Sequence, residues 1–351
     1  MKLLCVGNYD SCTGYAWNTI RRVWAGVGAR LEKHGVSTQV VEREPGGWQE
    51  WSDLVDLCRE QGIDGCWLTD RELLSRDYGQ LRAAGVRFIV NHERTSGART
   101  APQGPKRWAK KLLARRSSWT ADRYVAISDF VRRRLLDVGC LPASKVVRIY
   151  NAIDTAPWSE SVDREAVRRR LGIGDARPLV AMASRAQQYK GIGTLIDAVR
   201  ELPADRKLLA VHCGDGPELA ALRQYAAGEP RVQLLGRRDD YGEILRAADV
   251  AVVPPHWDEA FGLTVVEAMA SGTPLVATAV GAIPELVEDR RHALLVPPSD
   301  AQALRDAILK QIDAADQARV MAKEAQARAR STFDFERLYD ELEQLFVEGL
   351  L

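Results

Sequence analysis

Short apolar runs alternate with amphipathic helical patterns along most of the chain, and the alternation runs through twice. KLLCVG reads as a strand, GYAWNTIRRVWAGVGARLEKHG as a helix closing at Gly35, and STQVVERE as a second strand. DLVDLCREQG and DGCWLTD follow as helix and strand, YGQLRAAG leads to VRFIVNHE, and ADRYVAIS leads through helix DFVRRRLLDVG to strand KVVRIYN. After a polar, charged stretch the pattern restarts with PLVAMAS, GIGTLIDAVREL, KLLAVHCG, PELAALRQYAAG, RVQLLG, YGEILRAAD and VAVVPP. It continues with LTVVEAMASG, TPLVATAV and HALLVPP, and from Ala301 onward the chain reads as helix. Runs of this kind, apolar throughout rather than alternating, suit strands covered on both faces, so each half implies an α/β domain with a parallel sheet between helical layers. The expected division is a first domain at 1–155, a linker at 156–177 with one short helix at REAVRRRLG, a second domain at 178–330 and a final helical segment at 331–351.

A length of 351 residues suits two such domains. Net charge is +1, which leaves no global field to draw the surface onto nucleic acid or membrane. The six cysteines (Cys5, Cys12, Cys58, Cys66, Cys140 and Cys213) form no Cys-x-x-Cys pair and no zinc-type spacing with histidine, so they read as buried free thiols of a reducing compartment. The opening MKLLCVGNYDS is too short an apolar run for a signal peptide or spanning helix, and no later run approaches the ~20 residues that spanning requires. The expected location is cytoplasmic, at most peripheral on the cytoplasmic face of a membrane. The loop after the first strand, GNYDSCTGYA, is not Gly-x-Gly-x-x-Gly, so a dinucleotide fingerprint is not supported there.

The segment DEAFGLTVVEAMASGTP, Asp258 to Pro274, concentrates the chemistry of the second half. Gly262 and Leu263 fall at the start of the helix LTVVEAMAS, where free N–H groups and the positive end of the helix dipole favour a phosphate. Gly262 allows close backbone approach to a ligand. Glu259 precedes that terminus, and Glu267 sits about one turn inside the helix among apolar residues, where a carboxylate needs partners. Carboxylates accept well from vicinal hydroxyls, so one for each polyol with a phosphate anchor between them would make a nucleotide-sugar site.

Glu259 and Glu267 with the following AMASGTPLVAT and GAIPELV resemble the E-x7-E signature of glycosyltransferase family 4. ASRAQQYKGIGTLIDAV resembles that family's Gly-Arg…Lys-Gly segment, and CGDGPE, LLGRRDDYGEILRAADVAVVPP and VVRIYNAID match in order. The resemblance implies a retaining transferase with the GT-B fold, two Rossmann-like doubly wound domains facing across a cleft. By that resemblance Arg185 and Lys190 grip the donor diphosphate, which agrees with the role of cations at a leaving phosphate. Glu259 holds the hydroxyls of the transferred sugar, Phe261, Gly262, Leu263 and Thr264 meet sugar and phosphate largely through backbone, Glu267 binds the ribose, and Arg237 lies beside the base. Gly214 and Gly216 are expected to shape a turn. The chain departs from the family in carrying Ser184 where a glycine usually precedes the arginine, and it has no Asp-x-Asp, which fits a site without metal. No cofactor is implied beyond the UDP- or GDP-sugar co-substrate.

In the first domain, VRFIVNHE ends with His92 near the strand's end, where related transferases carry a histidine directed toward the donor sugar; His92 is the expected active-site residue that positions it. His212, inside LLAVHCG, reads as structural. Gly14, at the start of the first helix, is the expected phosphate contact of the opening loop, although the family often has two adjacent glycines there. Retention without an evident enzyme nucleophile implies front-face attack. GPKRWAKKLLARRSSW, residues 104–119, carries six basic residues and no acid, with Trp108, Leu112 and Trp119 near helical spacing. It suits an anionic membrane surface or lipid-linked acceptor, with an anionic acceptor site or a solvated helix as rivals. Nucleic acid is not an expected partner. The expected activity is transfer of a hexose-type sugar to a glycan, glycolipid or small acceptor, as in cell-surface polysaccharide or lipopolysaccharide biosynthesis. The alternatives are a sugar-nucleotide epimerase and a non-catalytic nucleotide-sugar-binding subunit on the same scaffold. The final helix, STFDFERLYDELEQLFVEG, is expected to return to the first domain.

Overall fold

The computed structural model describes residues 1–7, 15–41, 51–98, 100–173, 177–203 and 205–351, with backbone alone at 15–17. The chain divides into two compact units. Met1–Asn151 and Phe335–Leu351 form the first, and Ala152–Asp334 the second.

The first unit holds strands β1 (Lys2–Val6), β2 (Ser37–Val41), β3 (Gly65–Thr69), β4 (Phe88–Glu93), β5 (Arg123–Ala126) and β6 (Val146–Arg148). They form one sheet in the order β2-β1-β3-β4-β5-β6, parallel throughout. Every residue of β3 and β4 is buried, as expected of central strands covered on both faces. The helix Tyr15–Leu31 covers one face, and the C-terminal helix Phe335–Leu350 lies against it. Arg30 pairs with Glu336, Asp340 and Glu343, and His34 meets Glu343 at 2.9 Å. Beneath these ion pairs Phe346 is fully buried, its ring centroid 4.8 Å from that of Trp67 and 6.2 Å from that of Phe88. The helix Asp129–Asp137 starts on Ser128, whose hydroxyl accepts from the Val131 amide at 3.1 Å and so satisfies one of the orphan donors of its first turn.

The second unit holds β7 (Leu179–Ala183), β8 (Leu209–Cys213), β9 (Val232–Gly236), β10 (Val250–Val253), β11 (Leu275–Thr278) and β12 (Leu294–Val296). Their order is β12-β11-β10-β7-β8-β9, again all parallel. The chain steps outward from β7 through β8 to β9, then returns to the other side of β7 and steps outward again, so the order reverses between β7 and β10. Such a switch point opens a crevice at the carboxyl ends of the two strands, where ligands of doubly wound sheets bind. Apolar side chains of these strands and of the helices Ile192–Arg200 and Ala301–Asp313 form one core. The segment expected as a linker carries the helix Arg164–Arg170, capped by Asp163 and joined to the body of this unit by Arg164–Asp249 at 2.6 Å and Arg170–Glu243 at 2.7 Å. The described cysteines, Cys5, Cys58, Cys66, Cys140 and Cys213, are buried and free; Cys12 lies outside the described residues.

The burial of Phe346 against Trp67 makes the C-terminal helix part of the first unit's core. Phe346→Ala should cost about 3–5 kcal/mol of stability, since the cavity sits between elements that cannot easily collapse. Urea denaturation followed by tryptophan fluorescence measures it, and a loss below ~1 kcal/mol would show that the helix contributes little to the fold.

Candidate functional site

Arg185 and Lys190 lie in the loop following β7, and Glu259, Phe261 and Gly262 in the loop following β10, which leads into the helix that carries Leu263, Thr264 and Glu267; Arg237 follows β9. The loops are locked together. Gly191 has φ +79°, and a Cβ there would sit 1.8 Å from the Pro254 carbonyl oxygen. The His256 amide donates to the Tyr189 carbonyl at 2.8 Å, and Thr194 Oγ1 lies 2.5 Å from His256 Nε2. Thr278 Oγ1 donates to the Pro255 carbonyl at 2.7 Å. Beyond β11, Gly281 (φ +56°) lies so close that a Cβ would meet the Glu259 carbonyl oxygen at 2.3 Å, and the Ala282 amide donates to that carbonyl at 2.9 Å. The backbone at Glu259 is therefore held from two directions.

This framework brings Lys190 and Glu259 into direct contact as a half-buried ion pair. Gly262, with φ +102°, begins the helix Leu263–Ser271. Its carbonyl accepts from Val265 and Val266, while the amides of Leu263 and Thr264 belong to the turn that has no intrahelical acceptors. Phe261 turns inward, 3% exposed, with its ring edge on Phe333 at 5.8 Å, so only its backbone faces the loop. Glu267 is 3% exposed and accepts from the Tyr241 hydroxyl at 3.4 Å. Tyr241 in turn meets Trp158 edge-on at 5.7 Å. Arg185 is exposed at the mouth of the β7 loop and makes no ion pair or hydrogen bond with its side chain among the described residues. Arg237 is also exposed, with Asp239 a distant 3.7 Å away.

Ser184 immediately follows β7, and its hydroxyl and carbonyl oxygens each lie 3.1 Å from Nε2 of His212, on β8. Gly214 and Gly216 shape the turn beyond. A Cβ at Gly214 would lie 1.8 Å from the Ser184 carbonyl oxygen, and one at Gly216 would lie 2.6 Å from that of Ala186. Sequence reasoning passed over Tyr241 and the Ser184–His212 pair. The residues themselves are ordinary, and their pairing depends on which strands and helices become neighbours.

In the first unit, His92 lies near the end of β4, 2% exposed, stacked on Trp67 at 6.0 Å, with Nε2 unpartnered among the described residues. Burial, with Arg94 as a lesser cause, holds its pKa well below the ordinary histidine value. Next to it Glu93 pairs with Arg134 at 2.6 Å and accepts from Asn91 at 3.1 Å. Burial and the charge of Asp70 outweigh that pairing and push the Glu93 carboxyl up to about 7. Gly14 lies outside the described residues. The basic stretch forms the helix Gly104–Leu113, which exposes Trp108 (76%) and Leu112 (59%) one turn apart, with Lys111 over the Trp108 ring at 5.8 Å. Among the described residues no helix is long and apolar enough to cross a membrane, and no cluster of three or more His, Cys, Asp or Glu has metal-site geometry.

Two family models match the chain. Glycosyl transferases group 1 covers residues 163–328, and Glycosyltransferase Family 4 covers 28–157. A D-inositol 3-phosphate glycosyltransferase of Corynebacterium aurimucosum is 31% identical over 266 residues, covering 72% of this chain and 63% of that protein. The lipopolysaccharide core biosynthesis mannosyltransferase LpsB of Rhizobium meliloti is 32% identical over 198 residues, covering 53% of this chain and 56% of that one. The chain thus spans less than two thirds of the length of the curated relatives it matches. Among solved structures, HepE of Anabaena in complex with UDP and glucose superposes with a TM-score of 0.79 at 24% identity, over 99% of this chain and 100% of that one.

His212 offers a test of the strand-end geometry. Burial holds its pKa down, from 6.5 to about 4. As pH falls below 6.5 the unfolded chain takes a proton that the folded chain refuses, so stability present at neutral pH is lost through that window. Between pH 7.5 and 5 the linkage amounts to about 2 kcal/mol. His92 adds to the same slope, so the comparison is with His212→Gln, which should lose correspondingly less in urea titrations at the two pH values. Equal losses in variant and wild type would refute the buried, neutral assignment.

Proposed function

The chain belongs to glycosyltransferase family 4, and from that premise we propose that it transfers a hexose-type sugar from a UDP- or GDP-sugar to a glycan, glycolipid or small acceptor. The observation that carries this reading is the contact of Lys190 with Glu259 beside the amino end of the helix Leu263–Ser271, whose buried face holds Glu267. A sugar diphosphate needs positive charge at its phosphates and acceptors for its hydroxyls within a few ångströms of each other. Arg185, Lys190 and the free amides of Leu263 and Thr264 supply the first. Glu259 and Glu267 supply the second, for the transferred sugar and the ribose respectively. Tyr241 orients the Glu267 carboxylate, and Arg237 serves the base side.

The chemistry assigned to these residues is positioning and electrostatic. The acceptor hydroxyl attacks the anomeric carbon on the face that the diphosphate leaves. The bond from that carbon to the phosphate oxygen breaks, its electron pair goes to the phosphate, and the acceptor proton follows it there. Retention of configuration follows from this geometry. Arg185, Lys190 and the helix end carry the developing charge in place of a metal ion. Family 4 relatives named for lipopolysaccharide and inositol phosphate glycosylation support a saccharide or polyol acceptor.

The exposed Trp108 and Leu112, flanked by Lys106, Lys111, Arg115 and Arg116, suit the helix Gly104–Leu113 to an anionic lipid surface. On this reading the protein works at the face of a membrane. Phosphatidylglycerol vesicles should sediment the protein at low salt, phosphatidylcholine vesicles should not, and Trp108→Ala with Leu112→Ala should abolish sedimentation. Sedimentation unaffected by the double substitution would sink the assignment.

The donor site is tested by thermal shift with UDP, GDP, ADP and their sugar conjugates, with and without EDTA. One nucleotide family should raise the melting temperature by mass action, independently of EDTA, and Glu267→Ala should abolish the shift. A folded protein that responds to none of them would overturn the donor assignment.

A further inference from the structure

The end of β7 is the point where this chain's donor loop begins, and the first residue beyond it, Ser184, is tied to the neighbouring strand in an asymmetric way. His212 is 1% exposed, and its Nε2 approaches both oxygens of Ser184. A carbonyl oxygen only accepts, so Nε2 carries the hydrogen and donates. The other ring nitrogen, Nδ1, is buried without a hydrogen-bond partner among the described residues. The opposite tautomer would set a bare Nε2 against the Ser184 carbonyl oxygen, two acceptors at 3.1 Å, and a charged ring would bury a second donor without a partner. The burial that depresses the pKa of His212 acts in the same direction.

With Nε2 as donor, the Ser184 hydroxyl receives a hydrogen bond and keeps its own hydrogen free to give. Ser184 is half-buried at the carboxyl end of β7, at the switch point between β7 and β10, immediately before Arg185. Gly214, whose missing side chain leaves room for the Ser184 carbonyl, fixes the backbone there. The hydroxyl stands at the root of the loop that carries Arg185 and Lys190, its oxygen fixed from the β8 side by His212.

We infer that the Ser184 hydroxyl donates a hydrogen bond to the diphosphate of the sugar donor, and that His212 is the positioning residue that holds it in that role; the inference rests on the donor site proposed above. A glycine at 184 would leave the phosphates to backbone and cations alone, whereas serine adds a neutral donor whose direction is set by the neighbouring strand.

UDP and GDP are each titrated calorimetrically into the wild type, Ser184→Ala, Ser184→Thr, His212→Phe and the Ser184→Ala/His212→Phe double variant. The nucleotide that the wild type binds should lose about tenfold in affinity on Ser184→Ala, the scale of a hydrogen bond to a charged group. Ser184→Thr keeps the hydroxyl and should bind within about twofold of the wild type, while the melting temperatures of nucleotide-free Ser184→Ala and wild type should agree closely, which a purely structural role does not predict. His212→Phe should weaken binding severalfold on its own and add little in the Ser184→Ala background, because the two residues act as one unit. Wild-type binding that Ser184→Ala leaves unchanged overturns this inference alone. Losses from His212→Phe and Ser184→Ala that simply add overturn the positioning role. Failure of the wild type to bind either nucleotide overturns the donor-site reading and this inference with it.

Discussion

The second unit's candidate site depends on one close approach. The Pro254 carbonyl oxygen occupies the space that a Cβ at position 191 would need, so the loops after β7 and β10 can cross only where one of them has no side chain. Gly191 meets that demand and also adopts a left-handed φ that other residues resist. The crossing sits where the strand order reverses. It turns the two strand ends into a single framework, which Thr194, His256 and Thr278 then fasten. Gly281 repeats the device one strand further out, under the backbone of Glu259.

Once the loops are locked, the charges follow without further adjustment. Lys190 precedes the crossing glycine and Glu259 precedes the second locked turn, so their side chains meet although the residues are far apart in sequence. The helix beginning at Gly262 aims its first amides from the same edge. Each component is weak alone: a half-buried ion pair contributes little to stability, and a helix end attracts any anion. Their value lies in being held at fixed separation by backbone rather than by long flexible side chains, which is the condition for electrostatic preorganisation.

Much of the fold was legible because buried parallel strands have to be apolar along their length. KLLCV, GCWLT, LAVHC and VAVV are continuous apolar runs between helical patterns, and each is a strand where that run placed it. The division into two units near Asn151, and the membership of Phe335–Leu351 in the first, are matters of which surfaces bury which. The helical spacing of Leu338, Leu342, Leu345 and Phe346 marks a buried face of the last helix but not its partner. The site was legible as residue types and not as contacts. Glu267 stood out as an acid in an apolar helix, but its neighbour Tyr241 lies on another helix. His212 read as structural inside a buried strand, and the bond from its ring to Ser184 becomes visible only when β7 and β8 are paired in register.

Exposure separates the ions that build this protein from those available to a ligand. Glu93 and Arg134 are almost completely buried, and each has to be satisfied internally: Glu93 by Arg134 and Asn91, with its carboxyl still driven upward by burial. Breaking such a pair costs more than the pair contributes, so it fixes the end of β4 and leaves no capacity for an incoming anion or hydroxyl. Arg185 is the opposite case, exposed and without a side-chain partner among the described residues. Lys190 and Glu259 stand between these limits. Enough burial holds them in one geometry, and enough exposure lets a ligand exchange for the partner. A polar ligand with both anionic and hydroxyl groups can replace each half of that pair with a better match, whereas a simple anion satisfies Lys190 only by leaving Glu259 beside uncompensated negative charge. Such a pair suits a ligand that joins an anion to hydroxyls better than it suits either alone, which is the physical basis of the donor site proposed above.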